Sequence, residues 1–287
     1  MINQSFFFVN FIVCIDSFRY NEMRRVSDIM IKIIFSDFDY TMLDYYSKDN
    51  YFDEYKISIL KKLKDKGIRF CIVTGRCVSF FEQFPNLLEA IDYIMGSNGA
   101  CIYDVVNNKY IYCDNIIDDD YNEVISYLID NNYSFSLNCK DKRYKYGDWD
   151  ALGCLEFDEY MKYISEQIVF RVKKSDFDQV FKRLENIGKI KINNMHNWGD
   201  DYWTIDLNNS GVSKGSAIEW LCNYLDIDID DTMAFGDGDN DMSMFEVVNK
   251  GVAVGNAVDK LKVMSKSVAL DCWDNGIYKY IEENILK

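Results

Sequence analysis

The run Ile33-Ile34-Phe35-Ser36-Asp37-Phe38-Asp39-Tyr40-Thr41 constrains this chain more than any other stretch. Its β-branched and aromatic residues read as a buried strand that ends abruptly in two carboxylates spaced i, i+2. Open parallel sheets gather their ligands at the carboxyl ends of their strands, which is where Asp37 and Asp39 fall. Two acids so close repel each other unless a cation or a shared proton relieves them. The pair therefore asks for a divalent metal, a proton-transfer role, or both.

The same design, a strand running into a polar loop, recurs along the chain. Residues 68–73 run into Thr74-Gly75-Arg76, residues 93–95 into Gly96-Ser97-Asn98-Gly99-Ala100, and residues 232–235 into Gly236-Asp237-Gly238-Asp239-Asn240-Asp241. Helical patterns lie between them. In residues 53–66, Ile57, Leu60 and Leu63 form one stripe and Gly67 is the stop; in 213–224, Ala217 and Leu221 lead on to Leu225 at fourfold spacing. Short strands at 251–254 and 267–270 and helices near 259–264 and 277–286 complete the alternation. It predicts an α/β fold, a Rossmann-like, doubly wound parallel sheet with helices on both faces.

Residues 112–204 differ in character. Two amphipathic helix candidates, 118–131 and 175–187, lie among strand-like runs at 133–137, 168–172 and 189–193. In the second helix Phe177, Val180, Phe181, Leu184 and Ile187 share a face. We read the segment as an inserted α/β domain that divides the core into residues 31–111 and 205–287. Residues 1–30 read as an N-terminal extension. Its apolar run, 6–15, is too short for a membrane span and lacks the flanking charge and cleavage site of a signal peptide. Val13 before Cys14 also suits a lipoprotein cleavage site poorly. Met30 directly precedes the first strand, so residues 1–29 are expected to be dispensable, translated from an upstream start.

Bulk properties exclude several function classes. With 287 residues and 48% hydrophobic content the chain can bury a sizeable core, and its net charge of −15 disfavours nucleic-acid binding. Nine cysteines, an odd number with no C-x-x-C pair, read as reduced thiols of a cytoplasmic protein, with Cys71 and Cys101 in apolar strands. His196 is the only histidine, which argues against a His-rich metal site and a Ser-His-Asp triad and leaves it as a packing or surface residue.

If the sheet is parallel, the four loops emerge at one edge, and Lys214, after Gly211-Val212-Ser213, joins them. Together they supply carboxylates for a cation, a candidate nucleophile, a hydroxyl, a fixed positive charge and glycines that expose backbone N–H groups. That is the equipment of phosphoryl transfer, in which positioning and charge neutralisation supply most of the rate.

The paired aspartates, Thr74, Lys214 and the glycine–aspartate cluster occur in an order that resembles the haloacid dehalogenase superfamily. With Ser97-Asn98-Gly99-Ala100, Gly255-Asn256-Ala257 and Asp274-Asn275-Gly276, residues 31–287 look like a phosphatase of its Cof-type branch (subclass IIB), which carries an α/β cap before the lysine motif. The resemblance implies that Asp37 attacks phosphorus to form an aspartyl-phosphate. It implies that Asp39 protonates the leaving alkoxide and then deprotonates water. Thr74 would donate to a phosphoryl oxygen, Gly75, Asn98 and Asn240 would line the phosphate, and Lys214 would balance its charge. Mg²⁺ would be bound by Asp37, the Asp39 backbone carbonyl, Asp237 and Asp241.

The implied substrate is a small phosphate ester, either a sugar phosphate or a phosphorylated cofactor such as flavin mononucleotide or pyridoxal phosphate, with no membrane partner. The alternatives are a phosphomutase of the same fold and a catalytically silent binding protein. Asp239 is left between a solvent-facing turn and a metal contact, Thr41 reads as a loop cap, and Arg76 as the partner of a surface acid. Tyr40 departs from the family's usual glycine and adds a bulky ring beside the site. Tyr144, Tyr146, Trp149, Trp198, Tyr202 and Trp203 read first as the core of the cap and second as pocket lining.

Overall fold

Strand β1 (Ile33–Ser36) is buried along its whole length. Successive strand residues point to opposite faces, so four buried residues in a row mean that both faces of the sheet are covered. Each large apolar side chain so placed stabilises the fold by about 1.5–3 kcal/mol. Ile33, Ile34 and Phe35 therefore anchor the end of the strand from which Asp37 projects. The computed structural model describes residues 30–45, 51–116, 118–148, 153–159, 162–197 and 199–287. The expected extension over 1–29, and Trp149 and Trp198, lie outside the described residues.

The first sheet continues with β2 (Arg69–Val73), β3 (Tyr93–Gly96), β4 (Cys101–Asp104) and β5 (Lys109–Cys113). A second sheet holds β6 (Phe135–Cys139), β7 (Lys142–Tyr146), β8 (Leu155–Glu156), β9 (Gln167–Lys173), β10 (Ile190–His196) and β11 (Tyr202–Asn209). The chain then returns to the first sheet as β12 (Thr232–Gly236), β13 (Lys250–Ala253) and β14 (Ser267–Val268). Strand order is β14-β13-β12-β1-β2-β3-β4-β5 in the first sheet and β10-β11-β9-β6-β7-β8 in the second. From β14 to β3 every pairing is parallel; β4 and β5 add an antiparallel margin. The expected α/β fold with a parallel sheet is borne out.

Some elements differ from the sequence reading. The β4–β5 hairpin was not anticipated; its turn carries Asn108 at φ 53, a conformation asparagine tolerates better than most residues. Strand β11 lies whole in the second sheet, pairing Ile205 with Phe170, so that sheet extends past the expected boundary at 204. The reason is a period of two: Trp203, Ile205 and Leu207 face the sheet's apolar cluster, while Thr204, Asp206 and Asn208 alternate with them. The second helix expected in residues 112–204 is Phe177–Leu184, preceded by a tight turn over Lys174–Asp176, yet Ile187 beyond it is still fully buried.

The second sheet is two-faced. Its apolar face packs Phe135, Leu137, Ile168, Phe170, Ile205 and Leu207 with Val124 and Leu128 of the helix Asp118–Asp130 and Val180 and Leu184 of the helix Phe177–Leu184. Tyr144, Tyr146 and Trp203 belong to this cluster, and Tyr202 lies under the Arg171 guanidinium at 4.8 Å. The polar face is fastened to the first sheet at the turn after β3. Asn138 donates to Ser97 Oγ at 3.1 Å, Asn208 to the Ser97 carbonyl at 3.0 Å, and Asn98 to Asp206 at 3.0 Å.

That turn depends on Gly99. It holds φ 97, and a Cβ there would lie 2.6 Å from the Ser213 carbonyl oxygen, at the start of the helix that carries Lys214. Gly99→Ala is therefore expected to lower the unfolding free energy by about 2 kcal/mol or more. Urea unfolding followed by tryptophan fluorescence measures this; a loss near zero would show that the turn and helix separate without cost.

Candidate active site

Because β12, β1, β2 and β3 are parallel neighbours, the loops that follow them open at one edge. Asp37 follows β1 and its amide donates to the Phe235 carbonyl at 2.9 Å, which ties it to β12. Asp237 and Asp241 follow β12. Suitable oxygens of Asp37, Asp237 and Asp241 all lie within 4.8 Å of one another. The sequence separates Asp37 from the other two acids by about 200 residues; the parallel register brings them together.

Lys214 reaches into this cluster. Its ammonium donates to Asp37 Oδ1 at 2.5 Å and to Asp241 Oδ1 at 2.6 Å, and the residue is 1% exposed. Lys214 is the first residue of the helix Lys214–Leu225, capped by a reciprocal pair of hydrogen bonds between Ser213 and Ser216. A cation at a helix N-terminus opposes the helix dipole. Here the two carboxylates outweigh both that penalty and burial: burial lowers the lysine pKa, Asp241 and Asp37 raise it, and the net shift is upward.

Asp241 Oδ2 accepts from the backbone N–H groups of Asp237 and Gly238, both at 2.9 Å. Asp241 thus spans Lys214 and its own loop. Gly236 makes room for it, since a Cβ there would lie 2.7 Å from that of Asp241. Thr41 donates to Asp237 Oδ1 at 2.9 Å, so the residue read as a loop cap is a partner of the acidic cluster. The signal was its place four residues after Asp37 in the same loop.

Asp39 stands apart from the cluster. Arg76 Nε donates to its two oxygens at 3.0 and 2.8 Å and Nη2 to Oδ1 at 2.7 Å, while the Tyr45 hydroxyl also bonds it. Arg76 also stacks on Phe80, 4.0 Å from the ring centroid. Arg76 is therefore the partner of a candidate catalytic acid, and Tyr45 is a neighbour that sequence reasoning missed. Burial and then Asp39 push the Tyr45 phenol up, which keeps it a donor.

Thr74 is fully buried; its hydroxyl accepts from the Arg76 amide at 3.2 Å, and its carbonyl accepts from the Asn98 amide at 2.8 Å. Asn240 donates to Asn98 Oδ1 at 3.3 Å, whereas Lys214 is held by Asp37 and Asp241. Asp239 is exposed and faces Lys260 at 3.8 Å, the position of a solvent-facing turn residue.

Tyr40 occupies φ 59, the left-handed region that costs a side-chain-bearing residue about 1–2 kcal/mol. Its ring lies 5.1 Å from that of Tyr45, and Asn256 donates to its carbonyl at 2.8 Å. Gly255-Asn256-Ala257 thereby supports the loop of the paired aspartates.

A sequence profile of haloacid dehalogenase-like hydrolases matches residues 34–281. The chain belongs to this family. Its curated relatives include a phosphoglycolate phosphatase of Methanobrevibacter smithii, 28% identical over 79% of this chain and 88% of its own length. Another is the 5-amino-6-(5-phospho-D-ribitylamino)uracil phosphatase YitU of Bacillus subtilis, 21% identical over 88% of this chain and 96% of its own. Among solved structures, the phosphatase BT1666 of Bacteroides thetaiotaomicron superposes with a TM-score of 0.76 at 21% identity, covering 91% of this chain and 98% of that one. The subclass IIB sugar phosphatase BT4131 gives 0.73 at 19% identity, covering 89% and 100%. These structural likenesses show the fold. The resemblance to a Cof-type phosphatase is borne out.

The cluster fits a hard divalent cation. Its donors are all oxygen, and three carboxylates against one ammonium leave a formal charge of −3 + 1 = −2. That excess is felt by Asp237, whose carboxyl is pushed from 3.8 up to about 7, chiefly by burial and then by Asp241. Its folded pKa exceeds its unfolded one, so the stability it contributes is complete below about pH 4 and is lost as pH rises through about 7. A cation bound there would take the place of that proton. Mg²⁺ is therefore expected to raise the melting temperature more at about pH 8 than at about pH 6. Equal shifts at both, in matched calorimetric scans, would contradict this.

Proposed function

We propose that this chain is a divalent-cation-dependent phosphomonoesterase of the cytoplasm that acts through an aspartyl-phosphate on small phosphorylated metabolites. The observation that carries the reading is the buried ammonium of Lys214 shared between Asp37 and Asp241. A lysine committed to two acids at the end of a parallel sheet prepares a site for a phosphoryl group, whose charge it would share.

On this reading an Asp37 oxygen attacks phosphorus, and the ester P–O bond breaks as Asp39 gives its proton to the departing alkoxide. Asp39 then takes a proton from water, whose oxygen attacks the aspartyl-phosphate; orthophosphate leaves and the Asp37 carboxylate is restored. Lys214 neutralises charge on the nucleophile and the phosphoryl oxygens. Thr74 and the backbone of Gly75 hold those oxygens, with Asn98 and Asn240 beside them. A Mg²⁺ ion held by Asp37, Asp237, Asp241 and the Asp39 carbonyl would supply further charge neutralisation.

Asp39 is engaged by Arg76 and Tyr45, so its acid–base work requires it to exchange those partners for the substrate. We take the inserted segment that forms the second sheet as a cap that closes over the bound ester and excludes water. Sugar phosphates suit its polar face, on which Asn138, Asp206 and Asn208 already bond the core; flavin mononucleotide and pyridoxal phosphate belong in the same substrate panel. A cytoplasmic setting suits buried thiols such as Cys71 and Cys101.

The test is a panel of phosphate esters assayed for orthophosphate, with Mg²⁺ and with chelator, for the wild type and Asp37→Asn. Orthophosphate release should require the cation and fall by at least roughly 10³-fold in Asp37→Asn. Release that survives either change would defeat the mechanism, and isomerised sugar phosphate in place of orthophosphate would make the chain a mutase.

A further inference from the structure

The margin of the first sheet at β14 is exposed on one face. Ser267 shares a hydrogen bond with the Tyr280 hydroxyl at 2.8 Å, so the helix Gly276–Asn284 covers that side. Val268, the next strand residue, points the other way. It pairs with Ala253 of β13, and Gly251, two positions before Ala253, lies against the Phe245 ring of the helix Met242–Val247. Val268 thus belongs to a face that is covered farther in, yet it is 51% exposed, and Leu270 beyond it is 52% exposed. A parallel sheet is normally covered by helices on both faces. Over the last strand one of those layers is incomplete.

The neighbouring helix, Asp259–Met264, is apolar on its outer side as well. Only its Leu261 is buried; Val263 is 86% exposed, and Val258 and Met264 are exposed beside it. Five of the twelve exposed large apolar side chains among the described residues therefore fall within residues 258–270. Single exposed apolar residues are ordinary. Together these five expose on the order of 400 Å², a patch of the size that marks an interaction site and about half of the roughly 800 Å² that each partner gives to a stable interface.

Charge narrows the choice of partner. The chain carries −15, so two copies repel each other over most of their surfaces. Residues 258–274 are an exception, because Lys260, Lys262 and Lys266 balance Asp259, Asp271 and Asp274, 3 − 3 = 0. A surface that holds both signs can pair with itself across a two-fold axis, where residue i meets j and j meets i. This one also holds both halves of an apolar contact, a projecting Val263 and an exposed shelf of Val268 and Leu270.

We infer that this surface seats a second copy of the chain: in a two-fold dimer Val263 of each copy covers Val268 and Leu270 of the other, and each helix Asp259–Met264 completes the layer over the other's β14. The contact is made by side chains and does not extend the sheet. Strand β14 has two residues, and Lys266, whose ammonium donates to Asn249 Oδ1 at 3.0 Å, stands directly before it. Short edge strands flanked by lysine resist strand-to-strand pairing. The inference is independent of the phosphomonoesterase reading.

The experiment is sedimentation equilibrium of the full chain from about 1 to about 100 µM, for the wild type, Val263→Asp and Leu270→Asp. The wild type should dimerise with a dissociation constant at or below about 10 µM, and each substitution should weaken it at least about tenfold by placing a carboxylate among apolar side chains. Melting curves of the variants at concentrations where all are monomers should match the wild type, which separates lost association from lost folding. Amide hydrogen exchange over 258–270 in the wild type should slow as concentration rises. A wild type still monomeric at about 100 µM, a dimer that either folded variant leaves intact, or protection confined to other segments would overturn the inference. A monomer that copurifies with a different protein, and releases it in Val263→Asp, would give the surface to that partner and overturn it too.

Discussion

The ammonium of Lys214, buried between Asp37 and Asp241, is the interaction on which the rest of the site depends. Burying an ion costs several kcal/mol even after relaxation, and leaving its partner uncompensated costs about 3–5 kcal/mol. Those acids can therefore occupy the end of the sheet only because a cation reaches them. The fold delivers that cation from the opposite direction. Lys214 begins a helix rather than ending a strand, and the turn through Gly99 seats the helix start against the loop after β3. Sheet register sets where the carboxylates stand, and helix capping sets where their counter-charge stands.

The second sheet turns one strand pattern to two uses. Ile205 and Leu207 hold it to its helices, while Asp206 and Asn208, alternating with them, bond the turn after β3. A single register thus couples the packing of the inserted unit to its attachment to the first sheet. A slip by one residue would exchange the two faces and present leucine where the carboxylate stands. Arg76 makes a comparable link on the core side, where Phe80 supports its guanidinium and Asp39 and Tyr45 occupy its donors.

The core was legible in the sequence because buried parallel strands are continuous apolar runs with abrupt polar ends, as at Phe35 to Asp37 and Phe235 to Asp237. The inserted unit was harder to read. Its strands alternate, and in β11 the polar half of Trp203-Thr204-Ile205-Asp206-Leu207-Asn208 resembles a solvated surface until the facing turn is known. Asp37, Asp237, Asp241 and Lys214 were expected together and are found together. The pairing of Asp39 with Arg76, the bond from Thr41 to Asp237 and the reach of Asp206 to Asn98 were not. Each depends on where side chains from different loops meet, which neither periodicity nor spacing records.

The central claim is that Asp37 is the group that bonds to phosphorus. The most direct measurement is a crystal structure of the wild-type protein grown with Mg²⁺ and beryllium fluoride, a mimic of a phosphoryl group on a carboxylate. The account predicts a beryllium fluoride adduct on an Asp37 oxygen, with Lys214 beside its fluorides. An adduct on another carboxylate, or an unmodified Asp37 beside free fluoride complexes, would contradict it.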